Sequence, residues 1–318
     1  MKLLSAFLRL VRWPNLVFIG LTQWLYFSCV FEAVIHNPVE TQYPLLPVWL
    51  LMAASILIAA GGYIINDYFD MHIDSVNKPD KVVVDKHVKR RWAIFWHMLF
   101  SMAGLFISAF ISWRSGTWLI LAGNIFCVIL LWFYSTTFKK KLLIGNIIIS
   151  ALTAWVILVF YFYFSGGLYA SATSGWYNNH HDFDIRRLFK FTILYAGFAF
   201  ILSVVREVVK DLEDMQGDAQ YNCNTMPIAW GVPASKVFSA VWIVVAAAAL
   251  AIVQFYAWQS GWWPIVLYCI LLVIGPLLLI LRKLQLASQP ADYRHISNLI
   301  KWVMLAGILS MLFFKFLV

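Results

Sequence analysis

Apolar residues gather into nine runs, at about 15–35, 46–66, 93–113, 117–136, 143–165, 189–209, 236–257, 263–281 and 296–317. Each is close to the roughly 20 residues that a helix needs to cross a bilayer, so the pattern predicts nine transmembrane helices. The fold expected is an all-α membrane bundle. Between the runs lie short polar stretches, with no Pro-, Gly- or Ser-rich linker and no low-complexity run, so residues 1–318 are read as one integral-membrane domain. The opening MKLLSAFLRLVRWPNLVFIG carries positive charge, but no small-residue cleavage site follows its apolar run. It reads as a short amphipathic interfacial segment that breaks near Pro14 and leads into a retained first helix.

Charge tests the count of nine. Numbering the loops alternately puts 19 of the 24 Lys and Arg on one side, and Arg114, Arg186, Arg187, Lys190 and Lys315 on the other. A missed or invented helix would scramble that asymmetry. Basic residues mark cytoplasmic loops, so the amino terminus and the even-numbered loops are expected in the cytoplasm. A bacterial cytoplasmic membrane is the expected location.

Composition agrees. The chain is 62% hydrophobic and 12% charged, with a mean hydropathy of +0.78, far from a soluble domain. The net charge of +9 is then a topological bias aided by anionic lipid, and nucleic-acid binding is excluded. Cys29, Cys127 and Cys269 lie in apolar runs without metal-ligand spacing and read as packing. Cys223 falls in a cytoplasmic loop as a free thiol.

Against this background the placing of acids stands out. Asp67, Asp70 and Asp74 repeat the spacing of Asp211, Asp214 and Asp218, six of only 15 acidic residues. Positions i, i+3 and i+7 share one helix face, so each triplet aims its carboxylates together, which is repulsive without a cation. Both fall on the cytoplasmic side. They are offset by 144 residues, as a duplicated four-helix unit would give, although nothing outside the triplets repeats clearly. Asn66 adds a neutral oxygen one turn before Asp70, suited to a hard ion. In the second segment Arg206 and Lys210 precede the acids. Acids that hold a metal, beside bases that hold phosphate oxygens, are what a magnesium-bound diphosphate needs. The competing reading is a pair of solvated helix ends with acidic caps.

The segments Asn66-Asp67-x-x-Asp70-x-x-x-Asp74 and Lys210-Asp211-x-x-Asp214-x-x-Gly217-Asp218 resemble the two aspartate-rich motifs of the UbiA superfamily of intramembrane prenyltransferases. Smaller landmarks agree: Arg12-x-Pro14-Asn15, Tyr134-Ser135 ahead of Lys139, and Gly145-Asn146 opening the fifth helix. Two positions depart from the pattern, Lys81-Val82 where a basic-Pro pair is usual, and Asn224 where a basic residue often precedes Thr225. The resemblance implies a nine-helix bundle with a cytoplasm-facing active-site cavity, and magnesium-dependent transfer of a polyprenyl group from an isoprenoid diphosphate through an allylic carbocation. It implies metal ligation by Asn66, Asp67, Asp70, Asp74, Asp211, Asp214 and Asp218, with Asp70, Asp74, Asp214 and Asp218 catalytic. Lys81, Lys139, Arg206, Lys210 and Tyr134 are its candidates for the diphosphate; Lys139, within three lysines, also serves topology. The second and sixth helices are expected to bring Asp70 and Asp214 to one cavity.

Aromatic residues make up 17% of the chain, and Tyr63, Tyr68, Phe69, Trp132, Phe133 and Tyr134 adjoin the motifs. Rings can steady a carbocation, but membrane proteins also use them as interface belts. His180-His181 with Asp182 and Asp184 falls in a loop on the opposite side and reads as polar loop. A phosphatidyltransferase would need an Asp-x-x-Asp-Gly segment, and here Met71 follows Asp70. A transporter can hold intramembrane acids but does not obviously need two acidic clusters at one face. The second motif looks closer to the branch that includes digeranylgeranylglyceryl phosphate synthase, chlorophyll synthase and homogentisate prenyltransferases than to the 4-hydroxybenzoate branch. A lipid-type or quinone-precursor acceptor is therefore expected, with an aromatic-ring acceptor of quinone or haem biosynthesis the alternative. Prenyl chain length and oligomeric state are not legible.

Overall fold

The computed structural model describes residues 2–34, 45–77, 79, 82–173 and 185–317. After a short helix α1 (Lys2–Leu10) come α2 (Trp13–Val34), α3 (Leu45–Asn77), α4 (Arg90–Ser115), α5 (Leu119–Thr136), α6 (Ile144–Thr173) and α7 (Ile185–Gln220). Then follow a single turn α8 (Met226–Ala229), α9 (Gly231–Gln259), α10 (Trp263–Leu286) and α11 (Pro290–Phe313). Among the described residues nine helices, α2 to α7 and α9 to α11, are long and apolar enough to cross a membrane. This is the predicted number, and the protein is an all-α integral membrane protein.

Two boundaries differ from the sequence expectation in ways that matter. Helix α3 runs 11 residues past the apolar run that ends near 66, and α7 runs 11 past 209. At 1.5 Å per residue each acidic row therefore sits on about 16 Å of continuous helix beyond its apolar run. The break in the amino-terminal segment falls at Val11-Arg12, two residues before Pro14, where Arg12 adopts a left-handed φ of 51°. Pro14 lies in the first turn of α2, where its missing N–H costs no hydrogen bond.

The chain forms two compact units. One comprises residues 1–136 and 155–193. Within it α3 and α4 touch through Gly61: a Cβ there would meet Ser101 Oγ at 2.8 Å and the His97 carbonyl at 3.2 Å. The Gly61 carbonyl accepts a hydrogen bond from His97 Nδ1 at 2.9 Å. Gln23 Nε2 of α2 donates to Ser55 Oγ and to the Val156 carbonyl, both at 2.9 Å. Lipid tails are as apolar as leucine, so such close approach and polar bonding hold helices together where hydrophobic transfer cannot. Val83, Val84 and Val88, from the loop after the first motif, pack with Ala6 and Leu10 of α1 and Ile64 and Met71 of α3.

The second unit comprises residues 137–154 and 194–318. Its core joins Leu202, Val205, Val209 and Leu212 of α7 to Ile243 of α9, Leu277 and Ile280 of α10, and Ile296 and Ile300 of α11. At roughly 100° per residue, those four α7 positions lie on the side of the helix opposite Asp211, Asp214 and Asp218. Core packing thus fixes the direction in which the acids point.

Candidate active site

In the first unit the acidic row occupies the last three turns of α3. Asp70 is buried, with 3% of its surface exposed, while Asp67 and Asp74 are half-buried. Asn66 Nδ2 donates to Asp70 Oδ2 at 2.6 Å, the i, i+4 contact its position dictates. Asn66 Oδ1 is buried and lacks a hydrogen-bond partner. A buried carbonyl oxygen left bare beside a buried carboxylate fits a hard cation better than it fits protein alone.

Asp67 is held differently. Arg12, in the turn between α1 and α2, reaches it with Nη2 at 2.6 Å, and its guanidinium lies 5.3 Å from the centre of the Tyr63 ring. The Asp67 carboxylate raises the Arg12 guanidinium above its ordinary range, so this cation stays charged at any working pH. Phe69 meets Trp132 edge to face at 5.9 Å. Tyr134 is half-buried near the end of α5. Lys81 lies outside the described residues, as do His180, His181, Asp182 and Asp184.

In the second unit the row lies on α7. Asp218 is buried, and Asp211 and Asp214 are half-buried. Asn146, in the first turn of α6, donates to Asp211 Oδ2 at 2.8 Å. Beside it Gly145 lets α6 start directly against the Lys139 turn: a Cβ would stand 2.9 Å from the Phe138 carbonyl and 3.0 Å from Lys139 Cα. Lys139 is half-buried there, whereas Lys140 and Lys141 are exposed. The Asn224 amide donates to the Lys140 carbonyl at 2.8 Å, and the Cys223 amide to the Asp218 carbonyl at 2.9 Å. Arg206 and Lys210 both contact Glu207, through Nη1 at 3.2 Å and Nζ at 2.7 Å. Glu213 takes Arg294 Nε at 2.9 Å, which ties α11 to α7.

Within the described residues no three His, Cys, Asp or Glu side chains form a ready metal cage. The spacing explains this, because i to i+7 covers about 10 Å of helix. Magnesium does not ask for such a cage: it is commonly held by one or two carboxylates together with substrate phosphates and water.

A model of the family described as the UbiA prenyltransferase family matches residues 17–305. The chain belongs to that family. A digeranylgeranylglyceryl phosphate synthase from Methanoregula boonei is 30% identical over 217 residues, 68% of each chain. A solved structure concerned with digeranylgeranylglyceryl phosphate synthase in membranes superposes with a TM-score of 0.58 at 23% identity, covering 98% of this chain and 99% of that one. A UbiA homologue from Archaeoglobus fulgidus, bound to DMAPP and Mg2+, gives 0.57 at 16% identity, with 96% and 98% covered. These likenesses agree with the nine-helix fold.

The structure gives the landmarks Arg12 and Asn146 their partners and adds Glu207 to the sequence reading. Arg12 and Asn146 stand 55 and 65 positions from the acids they hold, a relation without local signal. Glu207 was findable, since 207, 211, 214 and 218 continue one helical stripe.

Proposed function

We propose that this membrane prenyltransferase transfers a polyprenyl group from an isoprenoid diphosphate to a lipid-type acceptor and releases diphosphate, with magnesium as cofactor. The carrying observation is the buried Asn66–Asp70 pair with its bare Asn66 Oδ1. Asn66, Asp70, Asp74, Asp214 and Asp218 are the residues assigned to hold magnesium. Asp67 and Asp211, engaged by Arg12 and Asn146 respectively, contribute charge beside it. Bound there, the metal supplies neutralisation of charge on the departing diphosphate.

The other steps fall to the chain. Lys81, Lys139, Arg206, Lys210 and Tyr134 are assigned to phosphate oxygens, where fixed donors stabilise a leaving group without reorganising. The allylic C–O bond breaks with its electron pair leaving on diphosphate. A lone pair of the acceptor forms the new bond to the allylic carbon and the acceptor releases a proton. Exclusion of water by the surrounding apolar helices protects the cation from hydrolysis. A lipid-type acceptor is favoured because relatives bear the name digeranylgeranylglyceryl phosphate synthase, and magnesium because a neighbour of the same fold binds DMAPP with Mg2+. Residues 1–318 act as one catalytic domain in the cytoplasmic membrane, with the amino terminus and both acidic rows on the cytoplasmic side.

The test measures diphosphate released from geranylgeranyl diphosphate by purified protein in lipid, with membrane lipid extract as the acceptor source. Release that requires magnesium and yields a prenylated lipid supports the reading. Release that persists unchanged in excess chelator overturns it.

A further inference from the structure

The stripe that carries the second acidic row begins one turn earlier than the motif. Glu207 precedes Asp211 by four residues, so it shares the face of Asp211, Asp214 and Asp218. Its carboxylate is 6% exposed at the residue level, which inside a membrane helix is tenable only with partners. Both oxygens have one: Arg206 Nη1 lies 3.2 Å from Oε1, and Lys210 Nζ lies 2.7 Å from Oε2. Arg206 and Lys210 stand four apart on one helix and would repel each other unaided. The Arg206 Nε is buried and without a hydrogen-bond partner, a charged donor ready for an acceptor that the protein does not supply.

We propose that Glu207 is a positioning residue: it gathers Arg206 and Lys210 into one preassembled cation pair at the start of the acidic row, presented to the diphosphate of the prenyl donor. The inference rests on the proposed function and adds who arranges its phosphate contacts. The three side chains carry a net charge of one positive, which favours an anion at this end of the row. A cation pair already ordered loses less side-chain freedom when phosphate oxygens arrive. A merely structural ion pair would matter for stability and not for donor affinity.

The experiment compares wild type with Glu207→Gln and Glu207→Asp, each purified in lipid. Three readings are taken: KM and kcat for geranylgeranyl diphosphate, binding of inorganic diphosphate with magnesium by equilibrium dialysis, and Tm. A neutral amide cannot hold two cations, so Glu207→Gln should raise KM and weaken diphosphate binding about tenfold, the scale of one lost charge-assisted contact, and lower kcat as well because the same donors face the leaving group. Glu207→Asp keeps the charge and should recover most of the binding. If Glu207→Gln fails to fold, the aspartate variant still decides, because its shorter side chain should leave a small loss of diphosphate binding, about twofold, at unchanged Tm. Variants that lower Tm with KM and diphosphate binding unchanged overturn the positioning role. Wild type that binds no diphosphate overturns the underlying functional reading instead.

Discussion

Among single residues, the structure separates the acids by what already holds them. Asp67 and Asp211 each give one oxygen to a donor from another element, Arg12 and Asn146 respectively, whereas Asp70 accepts from Asn66 on its own helix, whose buried Oδ1 is unpartnered. Substitutions should therefore be unequal. Asp70→Ala or Asp214→Ala should reduce diphosphate release by about a thousandfold, the rate equivalent of the several kcal/mol a metal contributes to a leaving group. Asp67→Asn and Asp211→Asn keep an acceptor for their donors and should cost only about tenfold. Steady-state release measured on all four variants checks the order, and an Asp67→Asn loss equal to that of Asp70→Ala would end the distinction. Removing acids from a crowded acidic face also relieves repulsion, so the alanine variants should remain folded and extractable.

Helix packing decides where those residues point. Gly145 is the least forgiving instance, because backbone atoms of Phe138 and Lys139 occupy the space of a side chain, and backbone cannot rotate aside. Gly145→Ala should displace the Lys139 turn from the start of α6 and cost about 1–3 kcal/mol, the scale of overpacking. If Lys139 contacts the donor, KM for geranylgeranyl diphosphate rises as well. Thermal unfolding and KM measured together check this, and a variant with wild-type values for both would show that the turn moves freely. The α7 helix shows the same logic at larger span: Leu202, Val205, Val209 and Leu212 seat one side in the core, and the opposite side is left to the acids. The Glu213–Arg294 pair adds a tie from α11. Arg294→Ala should loosen that end of α11, with a stability loss of about 1 kcal/mol that more salt reduces in the wild type, as expected for a half-exposed pair.

For the whole molecule the testable matter is orientation. Basic residues divide 19 to five between alternate loops, and by the positive-inside rule position 140 is expected in the cytoplasm and position 180 outside. In a cysteine-free background, a membrane-impermeant thiol reagent applied to intact cells should label a cysteine at 180 and spare one at 140. The reverse pattern would invert the protein and with it the side on which the donor is bound. The acceptor is also a question at this scale. Lipid mass spectrometry after gene deletion should reveal loss of a prenylated lipid, and loss of a quinone instead would redirect the acceptor assignment.

Nine spans, the all-α class and two acidic stripes followed from the sequence because each rests on a local rule. Apolar runs have the length of a bilayer, and i, i+3, i+7 is a property of any helix. Boundaries were less legible. Helices α3 and α7 continue through the polar motifs, where hydropathy falls although the helix does not, and the amino-terminal break lies at Arg12 rather than Pro14. The restraint of each row was not legible at all. Arg12 reaches Asp67 across a left-handed turn, and Asn146 reaches Asp211 because Gly145 lets α6 begin against its neighbour. Periodicity assigns a carboxylate to a face. Only packing between elements far apart in sequence decides which donor reaches it.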